Sequence, residues 1–232
     1  MYNGKTFLAI IPARGGSKRL PNKNILPLAG KPMLLWTIES AIQSKYLDEI
    51  ILSTDSDDII KVVGNYKIKI MKRPLELASD TAKTIDAVKH VIGNIDKKYD
   101  FIVLLQPTSP LRTSKHIDEA IEQLIKLNAD AIISVTEVDH SPLWCNILSE
   151  SLSMENFISE DIKHKRSQEL PKFYRLNGAI YICNTKKLVE ENTFFLKKNV
   201  YAYIMDKKSS IDIDEELDFK LAEIILKEKF LK

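Results

Sequence analysis

Glycine is scarce in this chain, with 7 residues in 232 where average usage would give roughly 16. The shortage excludes a collagen-like repeat, a Gly/Ser linker protein and a low-complexity chain. Cysteine is scarcer still, limited to Cys145 and Cys183. Two thiols without metal-ligand spacing exclude a disulfide framework or a zinc ribbon and fit a reducing compartment. Long apolar runs are missing too; none approaches the ~20 residues that cross a bilayer. Charge of one sign is also absent: 34 basic and 32 acidic residues leave a formal net charge of +2, no electrostatic footprint for nucleic acid. The first residues, Met1 to Lys5, run into a strand-like segment without a signal-peptide pattern. A cytoplasmic protein is expected, with neither nucleic acid nor membrane as partner.

What remains is ordinary globular composition, 44% hydrophobic and 28% charged, in a chain long enough for one domain with a real core. Short apolar runs alternate with helical patterns. Strands are expected at 6–13, 49–53, 67–71, 101–105, 131–135, 179–183 and 200–205. Helices are expected at 32–43, after Asp57, at 84–95, after an N-cap at Ser114, and from about Glu215. Such alternation predicts right-handed βαβ units, hence an α/β fold with a mostly parallel, doubly wound sheet. Ligands of these sheets sit beyond the carboxyl ends of the strands. The pattern breaks over 139–171, which is polar and weakly periodic. It reads as an insertion within a single domain spanning 1–232, packing on a partner subunit or lying over the cleft.

The few glycines cluster. Gly15 and Gly16 follow the first strand in Ala13-Arg14-Gly15-Gly16-Ser17-Lys18-Arg19-Leu20-Pro21-Asn22-Lys23-Asn24. Paired glycines at a strand end bring backbone N–H groups close to an anion, and Arg14, Lys18, Arg19 and Lys23 add four cations. The physical reading is a triphosphate cradle; the competing one is a solvated basic turn. Neither a Walker loop nor GxGxxG is present.

Near the other end, Ser210-Ile211-Asp212-Ile213-Asp214 alternates apolar and acidic residues. In a strand, Asp212 and Asp214 would share one face, ~7 Å apart at Cα, and repel by roughly 2 kcal/mol if partly buried. A divalent cation reverses that sign, and Mg²⁺ suits one or two carboxylates plus phosphate oxygens. Acidic decoration of a helix start is the other reading, and Glu215, Glu216 and Asp218 fit it. Gln106, ending a buried strand ahead of a proline-stiffened loop, offers an amide donor and acceptor or simply connects strand to helix. Arg73 could hydrogen-bond a base, and Thr84 could contact a base or, more simply, cap a helix. Arg166 and Arg175 suit carboxylate recognition, with Asn177 beside them. Tyr181, Phe194 and Phe195 offer aromatic faces or ordinary core. His90, His116, His140 and His164 fit surface or structural roles.

Taken together and in order, ARGGSKRLPNKN, STDS, RPLELASDTA, LLQPTSPLRT, RLNGAIYI and SIDIDEELD closely resemble the acylneuraminate cytidylyltransferases. The resemblance spans about Leu8 to Glu223. It implies a Rossmann-like nucleotide-diphospho-sugar transferase fold and a homodimer formed through 139–171. It also implies a reaction of CTP with a nine-carbon 2-keto-3-deoxy sugar acid, N-acetylneuraminate first, giving CMP-sugar and pyrophosphate. Position by position, Arg14, Ser17, Lys18, Lys23 and Asn24 would hold phosphates and part of the nucleotide, with Arg73, Ala82 and Thr84 at cytosine and ribose. Gln106, Arg166, Arg175, Tyr181, Phe194 and Phe195 would form the sugar-acid pocket, Arg166 from either subunit. Asp212 and Asp214 would bind Mg²⁺, or Mn²⁺ in its place, and with Arg14 and Lys23 would carry catalysis. Two residues depart from the family pattern: Arg19 where glycine is common after GGSK, and Leu176 where proline is common before Asn-Gly. Legionaminic or pseudaminic acid is the alternative sugar, with 3-deoxy-manno-octulosonate further off. A nucleotide-binding regulator without turnover is the alternative of another class.

Overall fold

In the computed structural model, residues 1–230 are described, with side chains through residue 228. The chain opens with β1 (Phe7–Pro12), whose six residues FLAIIP are almost wholly buried. A small hairpin, β2 (Pro27–Leu28) and β3 (Lys31–Pro32), follows. Its turn residues Ala29 and Gly30 both take positive φ, 48° and 92°, as a tight primed turn requires. Then come α1 (Met33–Ile42), β4 (Glu49–Thr54), α2 (Asp57–Val63), β5 (Lys69–Lys72), α3 (Thr84–Gly93), β6 (Phe101–Leu104), α4 (Ser114–Lys126) and β7 (Ala131–Glu137). After a long excursion the chain returns through β8 (Tyr174–Asn184), α5 (Thr185–Glu191), β9 (Val200–Ile204) and α6 (Glu216–Phe230).

Seven strands form one sheet in the order β5-β4-β1-β6-β8-β7-β9. All neighbours pair in parallel except β8, which runs antiparallel to both β6 and β7. The fold is the expected α/β type, mostly parallel and doubly wound, with a Rossmann-like arrangement. Alternation along β1 shows how one strand feeds two cores. Phe7, Ala9 and Ile11 pack with α1, α2 and α4 on one face. Leu8 and Ile10 pack with Val88 and Val91 of α3 and Leu188 of α5 on the other. A third cluster joins Leu28, Met33, Leu111, Ile213 and Ala222, seating α6 against the hairpin.

Local expectations shift in three places. The N-cap of α4 is Thr113, not Ser114, which is the first helical residue; the Thr113 backbone N–H donates to His116 Nδ1 at 3.2 Å. The N-cap of α3 is Lys83, so Thr84 is the first helical residue, exposed and not the cap. Residues 211–214 form no strand. A 3₁₀ turn at Lys208–Ser210 redirects the chain after β9, and a single backbone bond from the Ile213 N–H to the Thr108 carbonyl, 2.8 Å, fixes it at the rim.

Residues 138–173 connect β7 to β8. The connection is closed at its base by the Val138 N–H donating to the Phe173 carbonyl at 3.0 Å, and it holds only two short 3₁₀ turns. Ile147 is 92% exposed there, and Leu148, Leu152 and Met154 are exposed beside it. Among the described residues no helix is long and apolar enough to cross a membrane.

Candidate active site

Parallel strands deliver their carboxyl ends to one rim, and the antiparallel β8 brings its amino end to the same rim. Residues far apart in sequence therefore meet there: the loop after β1, Asp55 after β4, Arg73 after β5, Gln106 after β6, Arg175 to Gly178 entering β8, and Asp212 and Asp214 after β9. At this rim lies a cleft with two lobes sharing Arg14, Lys23, Asn24, Asp80, Gln106 and Thr108. One lobe, about 270 Å³, is walled by Arg73, Leu77, Ala82 and Thr84. The other, about 570 Å³, is walled by Gly16, Ser17, Lys18, Arg19, Asp212 and Asp214.

The glycine loop is held from below. The Gly15 N–H donates to Asp55 Oδ1 at 3.1 Å, and Asn24 Nδ2 donates to the Arg14 carbonyl at 2.9 Å. A Cβ on Gly15 would meet Ser56 Cβ at 2.9 Å, so only glycine permits this approach. Gly16 has open space instead and faces the cleft.

All four loop cations are paired with carboxylates. Asp80 takes Arg14 at 2.9 Å and Lys18 at 2.7 Å. Asp214 takes Arg19 at 3.1 Å and Lys23 at 3.2 Å. The Lys18 hydrogen bond, then that of Arg14, holds the Asp80 carboxyl below its usual range, against a desolvation cost. Lys23 is the enclosed member of the four, whereas Lys18 and Arg19 remain largely exposed in their ion pairs.

Asp212 is the half-buried member of the acidic pair and Asp214 the exposed one. Burial raises the Asp212 pKa, and the nearby Asp214 charge adds to the rise, while a Thr108 hydrogen bond and Lys23 oppose it. Asp212 Oδ1 is buried without a hydrogen-bond partner. A half-buried carboxylate with one buried, unused oxygen, beside a second carboxylate and open to the larger lobe, is a donor set that fits Mg²⁺ completed by phosphate oxygens. Among the described residues no group of three or more His, Cys, Asp or Glu could hold a metal.

Gly178 (φ 72°) passes between Asp212 and Gln106: a Cβ there would lie 3.2 Å from Asp212 Oδ2 and 3.5 Å from Gln106 Oε1. Its neighbour Asn177 is buried, donating to Ser210 Oγ at 2.9 Å and accepting from Ser134 Oγ at 2.6 Å. These bonds fix the segment that carries the acidic pair. Arg112, 1% exposed, donates to the Gln106 carbonyl at 3.2 Å and the Ala179 carbonyl at 3.0 Å. It has no carboxylate among its hydrogen-bond partners, and burial lowers its pKa.

The remaining candidates divide. Arg175 opens onto an adjoining cavity of about 810 Å³ that also touches Asp212, Asp214 and Lys207. Tyr181, Phe194 and Phe195 form one aromatic cluster, with ring centroids 5.8 Å and 6.1 Å from Tyr181. Tyr181 and Phe194 are buried in the second core, whereas Phe195 is exposed. Burial, and secondarily the Asp212 charge, raise the Tyr181 pKa; none of the three aromatics lines the two lobes or the adjoining cavity. Arg166 lines none of these cavities; it is exposed on the 138–173 connection, its backbone N–H donating to Glu169 Oε2 at 2.6 Å. Residue-by-residue reading assigned no role to Asp55, Asp80, Thr108 or Arg112. Asp55 had a usable signal, since it ends a buried strand at the rim where ligands gather.

Fold and cleft define an α/β nucleotidyltransferase architecture. The chain belongs to the cytidylyltransferase family, whose model matches residues 8–229. It is 39% identical over 224 residues to an N-acylneuraminate cytidylyltransferase of Escherichia coli O18:K1:H7, covering 96% of this chain and 52% of that protein. The chain thus spans about half the length of that relative. It is 36% identical to a CMP-N,N'-diacetyllegionaminic acid synthase of Legionella pneumophila, covering 95% of this chain and 96% of that one. A structure of CMP:2-keto-3-deoxy-manno-octonic acid synthetase complexed with CTP is similar, with TM-score 0.73, 15% identity, and coverage of 97% and 99%. At that identity the likeness is one of fold.

Proposed function

We propose that this chain transfers CMP from CTP to a nine-carbon 2-keto-3-deoxy sugar acid, releasing pyrophosphate. The observation that carries the reading is the two-lobed cleft at the carboxyl rim. Its smaller lobe fits a pyrimidine and ribose against Arg73, Ala82 and Thr84. Its larger lobe joins the cationic glycine loop to the acidic pair, as a triphosphate requires. Arg14, Ser17, Lys18, Lys23 and Asn24 hold the phosphates, and Gln106, Arg175 and the aromatic cluster hold the sugar acid.

The C2 hydroxyl of the sugar acid attacks the α-phosphorus in line: the C2–O–Pα bond forms, the bond from Pα to the bridging oxygen of the β-phosphate breaks, the hydroxyl proton passes to water, and pyrophosphate leaves toward the loop. Arg14 and Lys23 neutralise charge on the transferred and leaving groups, so rate comes chiefly from positioning and electrostatics. Asp212 and Asp214 would hold Mg²⁺, or Mn²⁺, which when bound supplies charge neutralisation on the phosphate oxygens. Lys23, donating to both the Ile213 carbonyl and Asp214, keeps the acidic arm against the loop.

The exposed apolar residues of the 138–173 connection support a homodimer, in which a second copy would cover them and the connection would carry Arg166 toward the neighbouring cleft. A cytoplasmic location fits the composition. The test is pyrophosphate release from CTP and Mg²⁺ with N-acetylneuraminate, legionaminic, pseudaminic and 3-deoxy-manno-octulosonic acids, with the oligomeric state measured by light scattering. N-acetylneuraminate is the expected substrate. The full-length match to the legionaminic acid synthase makes legionaminic acid the second reading. CTP binding without turnover on any acid would instead support a regulator.

A further inference from the structure

Asp55 lies just beyond the carboxyl end of β4 and lines neither lobe of the cleft. A single oxygen, Oδ1, accepts the Gly15 N–H at 3.1 Å and lies 3.7 Å from Arg73 Nη2. Those two partners serve opposite lobes. Gly15 begins the glycine pair beneath the phosphate lobe, and Arg73 walls the base lobe.

Arg73 depends on that carboxylate. It is 7% exposed, and Asp55 is its ion-pair partner. Its Nε is buried without a hydrogen-bond partner. Desolvation pulls its pKa down, the Asp55 charge pulls it back up, and the nearby Arg14 opposes. A guanidinium buried without its counter-charge leaves its position or destabilises the fold around it. Gly15 depends on the same carboxylate differently: an amide needs only an acceptor, whatever its charge.

We propose that Asp55 is a positioning residue of the nucleotide site, holding the phosphate loop and the base-facing arginine at a fixed separation through one shared oxygen. The inference rests on the reading that the cleft binds CTP. Its consequence is that base and triphosphate are registered against each other by a group that touches neither.

The two partners can be separated. Asp55→Asn keeps an acceptor for Gly15 and removes the charge that holds Arg73; Asp55→Ala removes both. Calorimetry of CTP and of inorganic pyrophosphate, with KM and kcat for both substrates, reads the difference. In Asp55→Asn the CTP dissociation constant rises about tenfold, equivalent to about 1.4 kcal/mol, while pyrophosphate binding stays within about twofold. In Asp55→Ala both weaken. The sugar-acid KM stays unchanged in both variants. Wild-type CTP affinity in Asp55→Asn overturns the inference, as does equal loss of CTP and pyrophosphate in that variant. A lowered melting temperature with the CTP-to-pyrophosphate ratio preserved marks a merely structural role and overturns it as well. Should Asp55→Ala fail to fold, Asp55→Asn alone decides. Wild-type protein that binds no CTP refutes the nucleotide reading, and this inference with it.

Discussion

Lys23 and Asp214 stand 191 positions apart in the chain, yet Lys23 Nζ lies 3.2 Å from Asp214 Oδ1. The same ammonium donates to the Ile213 carbonyl at 2.7 Å. The lysine proposed to hold a phosphate is therefore also tied to the arm carrying the acidic pair. These contacts join the glycine loop to that arm.

Asp214 is exposed at the mouth of the larger lobe, so removing its carboxylate leaves the cores intact. Asp214→Ala is expected to lower pyrophosphate release by at least about 100-fold, the size of effect seen when one electrostatic contact to a transition state is lost. Its melting curve should match the wild type. Near-normal turnover would sink the metal assignment, and Mn²⁺ binding followed by electron paramagnetic resonance gives a readout independent of turnover.

Asp80 acts in the pH dependence of stability. Its folded pKa lies below the ordinary value, chiefly through Lys18. Its contribution is therefore present above an ordinary aspartate pKa of about 4 and is lost as the pH falls through the lower folded value. Thermal melts of Asp80→Asn should fall below wild type near neutrality and converge with it in acid. Freed from the carboxylate, Arg14 and Lys18 should bind pyrophosphate more tightly; weaker binding by calorimetry would contradict this.

Two glycines should respond oppositely. At Gly178, an alanine meets a positive φ and the Asp212 carboxylate, costing about 1–2 kcal/mol in backbone strain and displacing the acidic pair. At Gly16 the same substitution finds open space, with stability within about 0.5 kcal/mol of wild type. Chemical denaturation of both variants, with turnover alongside, checks the contrast. Equal behaviour would contradict it.

Arg112→Met replaces a buried cation by an apolar chain of similar length but strands the carbonyls of Gln106 and Ala179. Each lost partner costs roughly 1–3 kcal/mol. The variant should unfold at lower denaturant and show a raised KM for the sugar acid, with the KM for CTP little changed. A rise confined to CTP would show that Arg112 does not act through Gln106.

The sequence alone determined the layered α/β plan, because apolar periodicity is a local property that survives without coordinates. Buried runs such as FLAIIP and FIVL could only be interior strands. The cationic glycine loop and the acidic pair were equally legible, since residue type and position at a strand end suffice to suggest an anion cradle or a cation site. Tertiary structure decided the rest. Segment 211–214 alternates like a strand, yet it pairs with no strand among the described residues and is held by the Ile213 N–H bond to the Thr108 carbonyl instead. Strand order brings Asp80 to Arg14 across 66 positions and Asp55 to Gly15 across 40. It also turns β8 antiparallel, so that Gly178 arrives beside Gln106 and Asp212. Electrostatic pairing depends on distance through space, and periodicity along a chain carries no information about which strand ends will share a rim.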